Sequence, residues 1–207
     1  TPFDFAPAIV SNLATAGFST PTPIQNQAIG PILAGRDVMR LAQTGTGKTA
    51  AYALPVLQRL LQGPRRRVRA LVVAPTRELA DQIFEVFMQL GRGTGLRYTT
   101  LYGGVSLVPQ TARLRDRPEV IVACPGRLLD HLNRGHLRLD TAEMVILDEA
   151  DRMFDMGFLP DIRKILARTP SSRQTLLFSA TMPPDIRRLA NEVLHDPQTV
   201  QIAPAVP

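Results

Sequence analysis

Two glycines, a lysine and a threonine stand close together in "LAQTGTGKTA", residues 41–50: Gly45, Gly47, Lys48 and Thr49. Residue types in this order could hold a polyphosphate. Glycine reaches positive φ and lets the backbone come close, so the turn Thr44, Gly45, Thr46, Gly47 can aim successive N–H groups at phosphate oxygens. A helix starting at Lys48 would add the positive end of its dipole. Lys48 would bridge the β- and γ-phosphates of a nucleotide, and Thr49 would put its hydroxyl on Mg²⁺. The pattern G-x-x-x-x-G-K-[ST] would place glycine at position 42, where the chain has Ala42. Ala42 ends the preceding strand, before the wrap around phosphate begins.

Such a loop needs a carboxylate partner, and "MVILDEAD" supplies one. Four apolar residues, Met144 to Leu147, lead into Asp148 and Glu149. A parallel strand would deliver both to the edge that carries the loop. Asp148 fits the acid that holds Mg²⁺ through its water shell, and Glu149 the base that orients and deprotonates an attacking water. An acidic pair alone reads as a solvated helix N-cap. Together with Gly47-Lys48-Thr49 it points to hydrolysis of a nucleoside triphosphate.

The elements that must position these residues are legible as alternating runs. Strand patterns cover 37–43, 69–75, 97–103, 119–124, 143–150, 174–180 and 199–202, and helix patterns lie near 48–62, 77–90, 126–133, 158–168 and 184–194. Strands buried on both faces with helical crossovers imply an α/β fold, a mostly parallel central sheet with helices on both faces. In such sheets ligands bind beyond the carboxyl ends of the strands. The turns "QTGTG", "PTRE", "YGG", "CPGR", "DEAD" and "SAT" each follow a strand pattern directly, so all should line one edge.

Composition narrows the class. With 44% hydrophobic and 20% charged residues over 207 positions, the chain has the profile of a globular domain and not of a disordered segment. It contains no apolar run of about 18 residues and no signal-peptide pattern, so a cytoplasmic, monomeric domain without a membrane is the expectation. Cys124, the single cysteine, reads as a small half-buried hydrophobe, and the three histidines make no metal pattern. The net charge of +6 favours polyanions. Lys48 and Lys164 are the only lysines, leaving 22 of 24 basic residues as arginine. A chain that writes positive charge as arginine keeps a compact, mobile ammonium at the phosphate loop. "GPRRRVR" (63–69) reads first as a solvated turn and second as a polyanion contact. The termini read as those of a piece of a longer protein.

Taken in order, "GFSTPTPIQ" (17–25), "AQTGTGKT" (42–49), "PTRELA" (75–80), the glycines at 103 and 104, "PGR" (125–127), "DEAD" (148–151) and "SAT" (179–181) resemble the first RecA-like domain of DEAD-box ATP-dependent RNA helicases. The resemblance covers essentially the whole chain. It implies one RecA-like P-loop domain over 1–207, with a helical, adenine-recognising part at 1–36 and a core at 37–207. Its ligands would be ATP and Mg²⁺, and its partners RNA and a C-terminal RecA-like domain of the same protein. Phe18, Thr20 and Gln25 would read adenine, Gln25 through an amide that both donates and accepts. Pro75, Thr76, Arg77, Gly104, Pro125, Gly126 and Arg127 would hold the sugar-phosphate backbone of RNA without reading sequence. The family usually has threonine where this chain has Cys124, so one hydroxyl donor to phosphate is lost there. Ser179 and Thr181 would bond toward Asp151 and couple nucleotide state to domain closure. The segment "MFDMGF" (153–158) is assigned to packing. A P-loop kinase, a DNA-translocating motor and a non-catalytic RNA-binding scaffold are the competing readings. The kinase lacks a recognisable acceptor pocket and lid, and the scaffold sits poorly with intact Lys48, Asp148 and Glu149.

Overall fold

The computed structural model describes residues 2–41 and 47–201. Seven four- to six-residue strands alternate with nine helices among these residues. The strands are β1 (Val38–Leu41), β2 (Ala70–Val73), β3 (Tyr98–Leu101), β4 (Val120–Ala123), β5 (Met144–Leu147), β6 (Gln174–Ser179) and β7 (Gln198–Gln201). They form one sheet in the order β3-β4-β2-β5-β6-β1-β7, and every pair is parallel. The sequence implies a mostly parallel sheet; the described strands are all parallel. The helices are α1 (Pro7–Thr15), α2 (Pro23–Leu33), α3 (Lys48–Leu60), α4 (Arg77–Leu90), α5 (Leu107–Arg115), α6 (Pro125–Asn133), α7 (Ala150–Asp155), α8 (Leu159–Leu166) and α9 (Pro184–Val193).

Two apolar layers explain the arrangement. Val72, Val122, Ile146 and Leu176 face one cluster with Ile9, Ile29, Tyr52, Leu57, Ile83 and Phe87, drawn from α1 to α4. Their neighbours in the strands, Leu71, Ile121, Val145 and Leu177, face the other, with Leu128 of α6, Met153 of α7, Ile162 of α8 and Ile186 of α9. Period-two alternation in the strands therefore sends side chains into both layers, and both faces are covered by helices. Each fully buried Leu, Ile or Phe contributes about 1.5–3 kcal/mol relative to exposure.

Register places the strand ends level with one another. Leu41 pairs with Ser179, Val73 with both Ala123 and Leu147, Leu101 with Ala123, and Leu147 with Leu177. Every motif turn that the structure describes leaves the sheet from this carboxyl edge.

Some boundaries differ from the sequence patterns. The strand pattern 143–150 ends at Leu147, and the helical segment after it breaks at Gly157, φ 78°, as its sequence implies, into α7 and α8. Met153 is buried there, whereas Met156 is exposed. Helix α5 is absent from the sequence patterns because it buries only Gln110 and Leu114, too little for a periodic apolar stripe. The basic loop 63–69 is split in character. Arg65, Arg66 and Arg67 are exposed, while Arg69 is buried, ion-paired to Glu143 and bonded to the carbonyls of Leu60 and Pro64.

Candidate nucleotide and nucleic-acid site

Gly47 is the N-cap of α3 and sits in the left-handed region at φ 69°. A Cβ there would lie 2.6 Å from Nε2 of Gln25, so both the conformation and the space call for glycine. Lys48 opens the helix. Its Nζ lies 2.6 Å from Oδ1 of Asp148, whose side chain is fully buried at the end of β5. Lys48 is the ion-pair partner of Oδ1, which takes no hydrogen bond of regular geometry, and the Tyr52 hydroxyl donates to Oδ2 at 2.8 Å. Tyr52 lies one turn after Lys48 on the same face of α3. Burial and the neighbouring Asp148 push its phenol well above the usual tyrosine range. Sequence reading missed Tyr52; the signal was a polar-tipped residue four positions after Lys48 in an otherwise apolar helix.

Glu149, next along, is one of four non-glycine residues with positive φ among the described residues. Its αL backbone, φ 50° and ψ 53°, caps the start of α7. Of these two residues beyond β5, Asp148 is fully buried and Glu149 reaches the cleft described next. The Arg152 guanidinium lies 3.6 Å from Glu149. Between α3, α4 and this strand end is a cleft of about 380 Å³, lined by Phe18, Lys48, Thr49, Gln82 and Glu149 among others. Thr44, Gly45 and Thr46 lie outside the described residues.

Gln25 is buried and each end of its amide makes one hydrogen bond. Its Oε1 accepts from the Thr22 N–H at 3.0 Å and its Nε2 donates to the Gly47 carbonyl at 3.2 Å. Thr22 caps α2, its hydroxyl accepting from the Gln25 N–H, which completes a capping box. Gln25 thus fastens the segment 17–25 to the start of α3. Phe18 faces the cleft and Thr20 is exposed beside it.

The remaining motif residues gather along the same edge. Pro75 is buried, and Thr76 caps α4 by accepting from the Leu79 N–H. Arg77 lies with its guanidinium 5.0 Å from the centre of the Tyr102 ring, a cation–π contact. The Tyr102 hydroxyl is held by Asp81, and Gly104 follows with φ 78°. Arg127 directs both terminal nitrogens at the Val105 carbonyl, each at 3.1 Å, and so braces the glycine turn from α6. At the start of α6, Pro125 is buried, Gly126 is exposed, and the N-cap Cys124 makes no side-chain cap bond. Burial, Glu78 and Asp81 push its thiol up to about 11, so it stays protonated and neutral.

Asp151, Ser179 and Thr181 meet. Oδ2 of Asp151 accepts from the Thr181 N–H at 3.1 Å and from its hydroxyl at 2.9 Å. The Asp151 N–H donates to the Ser179 hydroxyl, which donates in turn to the Thr181 carbonyl. The start of α7 is therefore tied to the end of β6.

A seven-stranded parallel sheet whose carboxyl edge joins the Lys48 turn to Asp148 defines a RecA-like P-loop domain. The chain belongs to the DEAD/DEAH box helicase family, whose sequence model matches residues 22–189. It is 46% identical over 198 residues to the DEAD-box ATP-dependent RNA helicase RhpA of Helicobacter pylori strain B128, covering 96% of this chain and 40% of that protein. It is also 46% identical over 194 residues to the DEAD-box ATP-dependent RNA helicase CshA of Geobacillus kaustophilus, covering 94% of this chain and 41% of the relative. A crystal structure of a DEAD box protein from Methanococcus jannaschii superposes with a TM-score of 0.90 at 36% identity, covering 96% of this chain and 54% of that one. The chain thus spans about 40% of the length of the curated relatives it matches. Among the described residues no helix is long and apolar enough to cross a membrane.

Proposed function

We propose that this chain is the ATP-binding and RNA-binding core of an ATP-dependent RNA helicase, a cytoplasmic enzyme that hydrolyses ATP to ADP and phosphate and locally unwinds RNA. In this reading residues 1–36 form the adenine-recognising part and 37–207 the core of one domain. It is monomeric, free of membrane, and completed by a second RecA-like domain of the same protein. The observation that carries the proposal is the buried Lys48–Asp148 pair at 2.6 Å, with Lys48 and Glu149 lining one cleft.

The residues present fit Mg²⁺ and a nucleotide. Asp148 is a fully buried carboxylate with an ammonium in direct contact, so a cation and a phosphate would each meet an opposite charge. Among the described residues no group of three or more His, Cys, Asp or Glu could cage a metal. Thr49 and Asp148 would therefore hold Mg²⁺ together with phosphate oxygens and water, as this ion prefers. When bound, Mg²⁺ neutralises charge on the β- and γ-phosphates.

The side chains divide the work. Lys48 leaves Asp148 for the phosphates, and Asp148 keeps its bond from Tyr52. Glu149 accepts a proton from water as the water oxygen bonds to the γ-phosphorus and the bond to the β,γ-bridging oxygen breaks. Phe18, Thr20 and Gln25 form the adenine end, and the Gln25 amide links it to the phosphate loop through its bond to the Gly47 carbonyl. Thr44, Gly45, Thr46 and Gly47 supply backbone N–H groups. Thr76, Arg77, Gly104, Gly126 and Arg127 bind RNA backbone through N–H groups and guanidinium forks, while Pro75 and Pro125, which carry no N–H, fix the turns that present them. Asp151, Ser179 and Thr181 transmit nucleotide state to the neighbouring domain.

Without a second domain to stabilise transition-state charge, a contribution of about 10³–10⁵ in related enzymes, the isolated chain should bind nucleotide, turn it over barely and not unwind. ATP hydrolysis by the complete protein, measured with RNA, with DNA and with neither, tests the reading. Stimulation by RNA alone supports it. Equal stimulation by DNA would favour a DNA motor, and robust RNA-stimulated turnover by the isolated chain would contradict the division of labour.

A further inference from the structure

The loops that enter the sheet at its opposite, amino edge carry a second charged feature. Ala70 pairs with both Val120 and Met144, so the chain segments preceding β2, β4 and β5 converge at one end of the sheet, away from Lys48 and Asp148. There a cleft of about 540 Å³ is walled by Arg66, Arg67, Arg115, Arg117 and Arg138, and no carboxylate lines it. Arg36, Arg59, Arg69, Arg134, Arg152, Arg163 and Arg188 each contact an acidic side chain, and others outside the cleft, such as Arg92 and Arg113, form no ion pair among the described residues; what sets the cleft apart is that several unpaired arginines share one lining. Arg66, Arg67, Arg115 and Arg117 form no ion pair among the described residues, and Arg138 meets only the exposed Asp140, at 3.5 Å.

The cluster is built into the backbone. Arg66 and Arg117 both take positive φ, 58° and 53°, a conformation that costs an arginine about 1–3 kcal/mol and that glycine would adopt freely. The Arg66 turn is braced by Glu119, which is 2% exposed. One Glu119 oxygen accepts from the Arg66 N–H at 2.9 Å and the other from the Arg97 N–H at 2.8 Å. Buried Arg69 pins the same loop from below through the carbonyls of Leu60 and Pro64. A strained, braced turn that presents unpaired guanidiniums is organised for an anion before any anion arrives.

We infer that this cleft is a second polyanion-binding surface and that its occupant is the phosphodiester backbone of an RNA duplex flanking the segment held at the motif edge. The inference rests on the RNA-binding reading above. The guanidinium fork matches phosphate oxygens in pairs. The lining holds no Phe, Tyr or Trp, and its one ring, His136, is hydrogen-bonded to His131 and Thr111, so bases have little to stack on and contact is chiefly to the backbone. Val68 and Leu114 in its floor are already covered by the core, which leaves little for the apolar anchor that a protein partner uses. Arg138 also borders the adjoining hollow, where Lys164 and Arg168 stand beside one carboxylate, Asp140.

The test is fluorescence anisotropy of the 207-residue chain with short labelled RNA duplexes of two unrelated sequences, titrated over a range of KCl. The quadruple variant Arg66→Gln, Arg67→Gln, Arg115→Gln, Arg117→Gln should bind both duplexes at least about tenfold more weakly. Its plot of log affinity against log salt should flatten by up to about 3.6 units, at about 0.9 for each of the four phosphates that the variant no longer neutralises. Affinity for Mg²⁺-ADP should stay unchanged, which reports an intact fold and an intact nucleotide site. The pair Arg67→Gln, Arg115→Gln, at positions without positive φ, gives the same sign of effect should the quadruple variant fold poorly. Unchanged duplex affinity and slope, or no duplex binding by the unaltered chain, overturns the inference. So does loss of poly-glutamate binding with RNA binding intact, which would assign the cleft to an acidic protein.

Discussion

Nζ of Lys48 lies 2.6 Å from Oδ1 of Asp148, and the Tyr52 hydroxyl closes the other side of the carboxylate at 2.8 Å. One turn of α3 therefore holds both partners of the acid that ends β5. Breaking a buried pair from one side strands a charge and costs about 3–5 kcal/mol, whereas removing both charges is often neutral. Lys48→Met alone should lower stability strongly, and adding Asp148→Asn should recover much of the loss. Denaturant unfolding of the two single variants and the double measures the coupling; additive effects would show that the contact carries no energy.

Tyr52→Phe isolates the third member. It keeps the ring in its packed position against Phe178 and removes only the donor, leaving a buried acceptor unsatisfied. The expected loss is about 1–3 kcal/mol. At about 2–4 °C per kcal/mol for a chain of this size, thermal melting should fall by several degrees.

Gly47→Ala and Gly104→Ala separate strain from collision. Both glycines have positive φ, 69° and 78°, but only at Gly47 would a new Cβ meet another group, Nε2 of Gln25 at 2.6 Å. Gly104→Ala should cost about 1–2 kcal/mol of backbone strain and leave nucleotide affinity alone. Gly47→Ala should in addition displace Gln25 and weaken Mg²⁺-ADP binding at least about tenfold. Equal effects of the two on nucleotide titrations would mean that Gln25 does not fasten the loop.

How much of this was legible follows from where each signal sits. The strands were readable because runs such as "ALVV" and "MVIL" are buried on both faces, and the common edge followed from turn motifs placed directly after them. The meeting of Asp151 with Ser179 and Thr181 came from ordered resemblance, since a polar turn after a strand has no signal of its own. Gln25 shows the limit: its type suggested an amide that reads a base, but not the bonds that also tie it to Thr22 and Gly47. Tyr52 was hidden because partnership with Asp148 joins residues 96 apart in sequence. The arginine cleft was half visible as "GPRRRVR", yet its other wall comes from positions 115, 117 and 138, which only the sheet register brings near.

His131 gives the fold a pH dependence. It is fully buried on α6, hydrogen-bonded through Nε2 to Oε1 of Gln110 at 3.1 Å and through Nδ1 to His136 at 3.0 Å. Nε2 of Gln110 donates to the Tyr102 carbonyl, so its oxygen faces His131 and the imidazole is neutral with its proton on Nε2. Burial first, and then His136 and Arg127, lower its pKa to about 4. The folded value lies below the unfolded one of about 6.5, so the unfolded chain binds more protons in between. The stabilisation is complete above about pH 6.5 and is lost as pH falls toward 4. Against His131→Phe as reference, the unaltered chain should lose melting temperature more steeply between pH 6.5 and 4.5; parallel profiles would place the proton uptake elsewhere.

The most direct test of the account is equilibrium titration of the 207-residue chain with Mg²⁺-ADP and Mg²⁺-ATP, alongside Lys48→Ala. A charge-assisted contact to phosphate is worth about 1.5–3 kcal/mol, or roughly tenfold or more in affinity. The unaltered chain should bind both nucleotides, and Lys48→Ala should weaken both by at least that factor while its circular dichroism stays folded. Undiminished affinity in a folded Lys48→Ala variant would contradict the account, because the ammonium paired with Asp148 would then not be the group that meets phosphate.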